Sequence, residues 1–223
     1  MKKFLLSLLL ILCIVLPFSA CKKQEQTLEP YLSELRSNSY FGQSENYTVK
    51  AGYGFNIVSQ DSDGAASTKE YAITFKLVGK ETEAATFVLS FSFKDKQYSA
   101  NFKLNPVTHS LTVKINLEGF NLNEFNVQIS SASSSESVTL KSTVPSGTLS
   151  VSQTLKCLEK NQKELVDSYR DKNGNFTAKI CARIVVKDEK AYWYIGLTAK
   201  NGELKAFLLD GKSGEVLAIR EVF

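Results

Sequence analysis

The chain is 223 residues long and carries a formal charge of +4, with lysines and acids interleaved along it. That balance offers no basic stripe for nucleic acid. One histidine leaves zinc sites and His-based triads little to build on. Of the four cysteines, Cys13 and Cys21 lie in or at the end of the N-terminal apolar segment, leaving Cys157 and Cys181 for one disulfide, which is not a disulfide scaffold. Fourteen Phe and nine Tyr against a single Met suit a sheet-rich protein.

Lys2 and Lys3 precede a run, Phe4 to Leu16, that is apolar except for Ser7. Pro17 breaks it, and Phe18-Ser19-Ala20-Cys21 closes it. A charged start, an apolar stretch and small residues at a cut site have the layout of an export signal. The run is short for an uncleaved span, which needs about 20 apolar residues. Plain secretion asks for small residues at the first and third positions before the cut, where Ala20 fits and Phe18 is bulky. The last four residues resemble the lipobox of bacterial lipoproteins, with Phe18 where an aliphatic residue is usual. That resemblance implies a signal peptide over 1–20 and diacylglyceryl on Cys21. It places the protein on the extracytoplasmic face of a cell membrane. Acyl burial contributes about 0.8 kcal/mol per CH₂, so two chains hold where one only dwells. Residues 21–27 read as a polar spacer. Removing residues 1–20 from 223 leaves 203, enough for one large or two small domains, and takes Lys2 and Lys3 from the +4 to leave +2.

Leu28, Leu32 and Leu35 are spaced for one helix face, so 28–36 reads as a short helix with Pro30 in its first turn. From Glu45 the period becomes two. Strands are expected around Tyr47–Ile57, Tyr71–Leu77, Phe87–Phe93, Tyr98–Leu104, Leu111–Leu117, Phe125–Ile129 and Val138–Ser142, with a loop over Ser59–Thr68 and a serine-rich tip at Ser130–Ser137. Strands of one apolar face at short, regular spacing predict an antiparallel β-sandwich of immunoglobulin-like architecture over 28–145. The Cys-Trp-Cys pattern of true immunoglobulin domains is absent.

Val144-Pro145-Ser146-Gly147 marks a boundary, after which Val151, Leu155, Leu158, Gln162, Leu165, Val166 and Tyr169 share one helix face. Thr148 or Ser150 is placed to cap that helix, and Lys172-Asn173-Gly174 to stop it. Four strand-like runs follow, Phe176–Lys187, Ala191–Ala199, Glu203–Leu209 and Glu215–Val222, joined by hairpin turns. A helix with a four-stranded meander makes 148–223 an α+β domain. Tyr192–Ala199, Glu203–Asp210 and then Lys212-Ser213-Gly214-Glu215-Val216-Leu217 resemble the end of a PepSY domain. In that family a strand runs into an Asp, a Thr-Gly or Ser-Gly turn and a closing strand. The resemblance implies a non-catalytic module of a kind associated with restraining extracellular peptidases.

Few residues suggest chemistry. His109 reads as a surface strand residue. Cys157 and Cys181 both fall opposite apolar faces, which leaves a disulfide or free thiols open. Asp171-Lys172-Asn173-Gly174-Asn175 opens like an EF-hand loop, but Phe176 stands where Gly is needed and Ala182 where Glu belongs, so it reads as a helix-stop turn. Asp61-Ser62-Asp63-Gly64 reads as a solvated turn. No catalytic group, metal site or cofactor is expected. In Tyr192-Trp193-Tyr194 the tryptophan faces away from the tyrosines, so one face of that strand is left for packing or for a partner. The last strand is a candidate edge for an added strand, with Ala218 or Arg220, whichever amide points outward, as the position that would receive it. The expectation is a lipid-anchored, non-catalytic binder of an extracytoplasmic protein or peptide; the alternative is a binder of a wall polymer or small ligand.

Overall fold

The computed structural model describes residues 27–58, 68–79, 86–105 and 110–222. The signal segment, Cys21, Asp61, Asp63, Pro106 and His109 lie outside them. The fold is mainly β. A 3₁₀ turn (Glu29–Tyr31) leads into β1 (Leu32–Gln43), β2 (Tyr47–Val58), β3 (Thr68–Gly79), β4 (Val88–Phe93), β5 (Lys96–Asn101), β6 (Lys103–Asn105), β7 (Ser110–Asn116), β8 (Glu124–Ser130) and β9 (Ser135–Ser142). Helices α1 (Val151–Asn161) and α2 (Lys163–Ser168) follow, then β10 (Lys179–Lys187), β11 (Lys190–Thr198), β12 (Leu204–Asp210) and β13 (Val216–Val222).

All thirteen strands belong to one hydrogen-bonded sheet. One branch runs β1-β2-β3-β7-β6 and another β1-β9-β8-β4-β5. Because β5 and β6 are one run of chain that changes partner at Phe102, the two branches meet and the sheet curls nearly into a barrel. Its inward residues form one core, rich in Phe75, Phe91, Phe93, Phe120 and Phe125. The expected pair of stacked, immunoglobulin-like sheets over 28–145 is not what forms: the described strands belong to one sheet, and its curl, rather than a second sheet, turns the apolar face of each strand to a shared core.

The second core lies between α1, α2 and the meander β10–β13, and includes Leu155, Leu158, Val166, Trp193, Ile195 and Phe207. Ser150 caps α1 in a capping box with Gln153, as its sequence suggests. The single helix expected over 151–169 is interrupted at Gln162, and Arg170 fixes the bend by bonding Glu159 of α1 at 2.6 Å and Asp167 of α2 at 3.2 Å.

The helix expected over 28–36 is limited to the 3₁₀ turn at Glu29–Tyr31, and residues 32–36 are instead the start of β1, for a physical reason. Ser33 is an extra residue against β10, and Ser37 an extra residue against β2. Each bulge shifts the side-chain alternation by one. Leu32 and Leu35 therefore face the same core three residues apart, which imitates a helical period. Ser33 turns its hydroxyl to the Ile180 carbonyl at 2.9 Å. The same bulges let β1 serve both cores: Leu32 lies in the second and Tyr40 in the first. One edge of β1 pairs with β2 along most of its length. The other pairs first with β10, in parallel, and then with β9. The chain boundary at 145–148 is thus crossed in space by β1 and by Phe55 of β2, which also lies in the second core.

Candidate functional site

The meander presents two unlike faces. On one, Trp193, Ile195, Leu197, Phe207 and Leu209 are buried beneath the helices. Trp193 is 2% exposed, and its indole N–H donates to the Leu149 carbonyl at 2.9 Å. Its expected place on a partner-binding surface is therefore corrected: it is a core residue that ties the linker before α1 to the sheet. The turn after β12 reinforces this tie. Asp210 accepts the amides of Lys212 and Ser213 at 2.9 and 2.8 Å, and these bonds hold its carboxyl below the usual range. Gly214 has φ +72°, and a Cβ there would lie 2.6 Å from Cys157 Sγ, so the turn docks on α1 only as glycine. The Gly211 carbonyl accepts the Leu149 amide, and the Gly214 carbonyl accepts Asn161 Nδ2. The Asp-to-Gly turn singled out in the sequence is the clasp between meander, linker and helix.

The opposite face carries Tyr192, Tyr194, Leu208, Ala218 and Arg220, placed together by the pairs Tyr194–Leu208, Leu208–Ala218 and Ala206–Arg220. Tyr192, Tyr194 and Leu208 are half-buried, Ala218 and Arg220 exposed. A Cβ built on Gly196 would lie 3.7 Å from the Tyr194 hydroxyl and 3.2 Å from Leu204 Cδ1, so the ring lies along the sheet over that glycine. Val185, 45% exposed, extends the apolar strip. Four of the five residues expected to meet a partner thus share one surface.

Beside this strip lies an ion cluster with no signature in the sequence. Arg183 of β10 bonds both Glu34 carboxylate oxygens at 3.0 Å, and Arg36 stands 3.6 Å from the same group while donating to Asn56 Oδ1 at 3.3 Å. Burial pushes the Glu34 carboxyl up, but the bond from Arg183 and the charges of Arg183 and Arg36 outweigh it and hold the group below its ordinary range. The Cys181 thiol donates to Glu34 at 3.5 Å; burial first, then the Glu34 charge, pushes it up. Glu34 and Arg183 lie 149 positions apart, and only the parallel pairing of β1 with β10 brings them together.

Cys157 and Cys181 are free thiols, one on α1 above the sheet and the other on the face away from the helices. Asp171 spends its carboxylate on the amides of Asn173 and Asn175, at 2.8 and 2.9 Å, which is the helix-stop turn expected of it. Among the described residues no group of three or more His, Cys, Asp and Glu is placed to hold a metal ion, and no helix is long and apolar enough to cross a membrane. No protein-family model, curated protein or solved structure matches this chain.

Proposed function

We propose that this protein is a lipoprotein, held by lipid on Cys21 at the extracytoplasmic face of a cell membrane, that works by binding a protein or peptide rather than by catalysis. The anchor rests on the Phe18-Ser19-Ala20-Cys21 sequence and its apolar, positively led approach. The binding reading rests on one observation above all. The meander leaves an apolar strip of Tyr192, Tyr194, Leu208 and Ala218 on the face away from its helices, continuous with a strand edge. The helix-plus-meander arrangement and the Asp210-to-Gly214 turn support the PepSY-like reading of 148–223, and with it a role in restraining a peptidase.

The test has two parts. Mass measurement of the mature protein should find diacylglyceryl on Cys21, and none in Cys21→Ala. Chemical cross-linking on intact cells should then join the anchored protein to a surface protein through the meander. Retention on purified wall material, with no protein adduct, would favour the wall-polymer reading and sink this one.

A further inference from the structure

Strand β13 pairs only with β12, so its far edge has no ladder partner among the described residues. Which backbone groups point out follows from two bonds. Gly211 N–H donates to the Ala191 carbonyl at 2.8 Å, and Asp210 N–H to the Glu215 carbonyl at 2.9 Å. Hydrogen bonding alternates along an antiparallel strand, so odd residues of β12 turn to β11 and even ones to β13. Ala206 and Leu208 pair with Arg220 and Ala218. The amides of Ala218 and Arg220 therefore turn inward, which corrects the expectation that one of them received a partner strand. Those of Ile219 and Glu221 turn outward.

The side chains along this edge are not uniform. Leu217, displaced by a bulge, and Ile219 are 48% and 47% exposed. Glu221 is joined to Lys205 at 2.8 Å. Arg220, on the open face, has no counter-ion among the described residues. Its neighbours on that face are small or apolar: Ala206 beside it, and Ala218 and Leu208 one step along.

We propose, resting on the binding reading above, that β13 takes up one further antiparallel strand from an extended segment of a partner protein. That segment reads, from its N-terminus, an acidic residue opposite Arg220, an apolar residue beside Ile219, and a large apolar residue over Ala218 and Leu208. Positions opposite 218 and 220 fall in non-hydrogen-bonded pairs, where Cα atoms approach to about 4.5 Å and side chains interact most closely. A carboxylate there gives Arg220 its missing counter-ion, and the small Ala218 leaves room for a bulky neighbour. A second copy of this chain fits worse. A two-fold axis at Ile219 sets Arg220 against Ala218 of the other copy and Glu221 against Leu217, and an axis at Arg220 sets two arginines face to face. The outward Ile219 amide supplies affinity and Arg220 supplies choice.

The test uses the full-length lipidated protein in detergent and two fluorescein-labelled synthetic peptides, Thr-Thr-Glu-Val-Phe-Thr-Thr and the same sequence with Lys for Glu, read by fluorescence anisotropy. The Glu peptide should bind about fivefold more tightly than the Lys peptide, and Arg220→Glu should invert that order. Ile219→Pro, which removes the outward donor, should weaken binding about tenfold relative to Ile219→Ala, which keeps it. Trp193 fluorescence reports whether each variant folds; if Ile219→Pro does not, the inversion by Arg220→Glu decides. Equal binding of the two peptides, no inversion, or a dimer abolished by Arg220→Glu overturns the proposal. So does failure of the Glu peptide to bind; a cell-surface cross-link elsewhere on the meander would then preserve the binding reading without this edge.

Discussion

Leu32→Ala tests whether the first strand holds the last domain together. Leu32 is 1% exposed, opposite Ile180 in the parallel ladder, and belongs to the helix-covered core although it precedes the meander strands β10–β13 by well over a hundred residues. Truncating a buried leucine costs about 2–5 kcal/mol, because the surroundings close only partly over the void. With a urea dependence of about 2–3 kcal/mol per molar, the midpoint should fall by about 1–2 M. The assay is built in: the chain has one tryptophan, Trp193, buried in the same core. Its fluorescence should follow the loss, and Leu32→Val should show a smaller fall in the same direction. A Trp193 transition unmoved by Leu32→Ala, with the loss visible only by circular dichroism, would refute the shared role of β1.

Other expectations follow from single contacts. A Cβ at Gly54 would collide with the Leu35 carbonyl oxygen, so Gly54→Ala should part β1 from β2 at the Ser37 bulge and cost about 3 kcal/mol or more in a urea melt. Asp188 and Glu189 hold φ of 49° and 60° in the β10–β11 hairpin; Glu189→Gly relieves a left-handed side chain and should raise stability by about 1 kcal/mol, read as a higher midpoint. Glu34 is depressed in the folded state, so its contribution is present above its unfolded pKa and is lost as pH falls through the lower folded value. The stability gap between wild type and Glu34→Gln should therefore close on going from pH 7 to pH 3, and a gap that stays constant would refute the assignment.

Most strands were legible because each keeps strict alternation over six or more residues, as in Tyr71–Leu77 and Phe87–Phe93. The start of β1 was not, since the bulge at Ser33 gave Leu32 and Leu35 a helical spacing that a linear pattern cannot distinguish from a helix. Ser33 and Ser37, both at the bulges, were the only trace of it. Alternation set Trp193 on the opposite face from Tyr192 and Tyr194, but the position of the helices was needed to fix which of the two faces is buried. The Glu34, Arg36 and Arg183 cluster was beyond reach, because it depends on a parallel pairing between chain ends that no local pattern encodes. The outward amides depended on the phase of two hydrogen bonds at the Asp210 turn.

The most direct measurement puts a photoreactive amino acid at Ile219 of the protein produced in living cells. Irradiation should give one dominant adduct to a surface protein, whose mapped segment is extended and places an acidic residue next to an apolar one. The adduct should fade in Arg220→Glu. Adducts only to lipid, to wall glycan or to another copy of this chain would contradict the account.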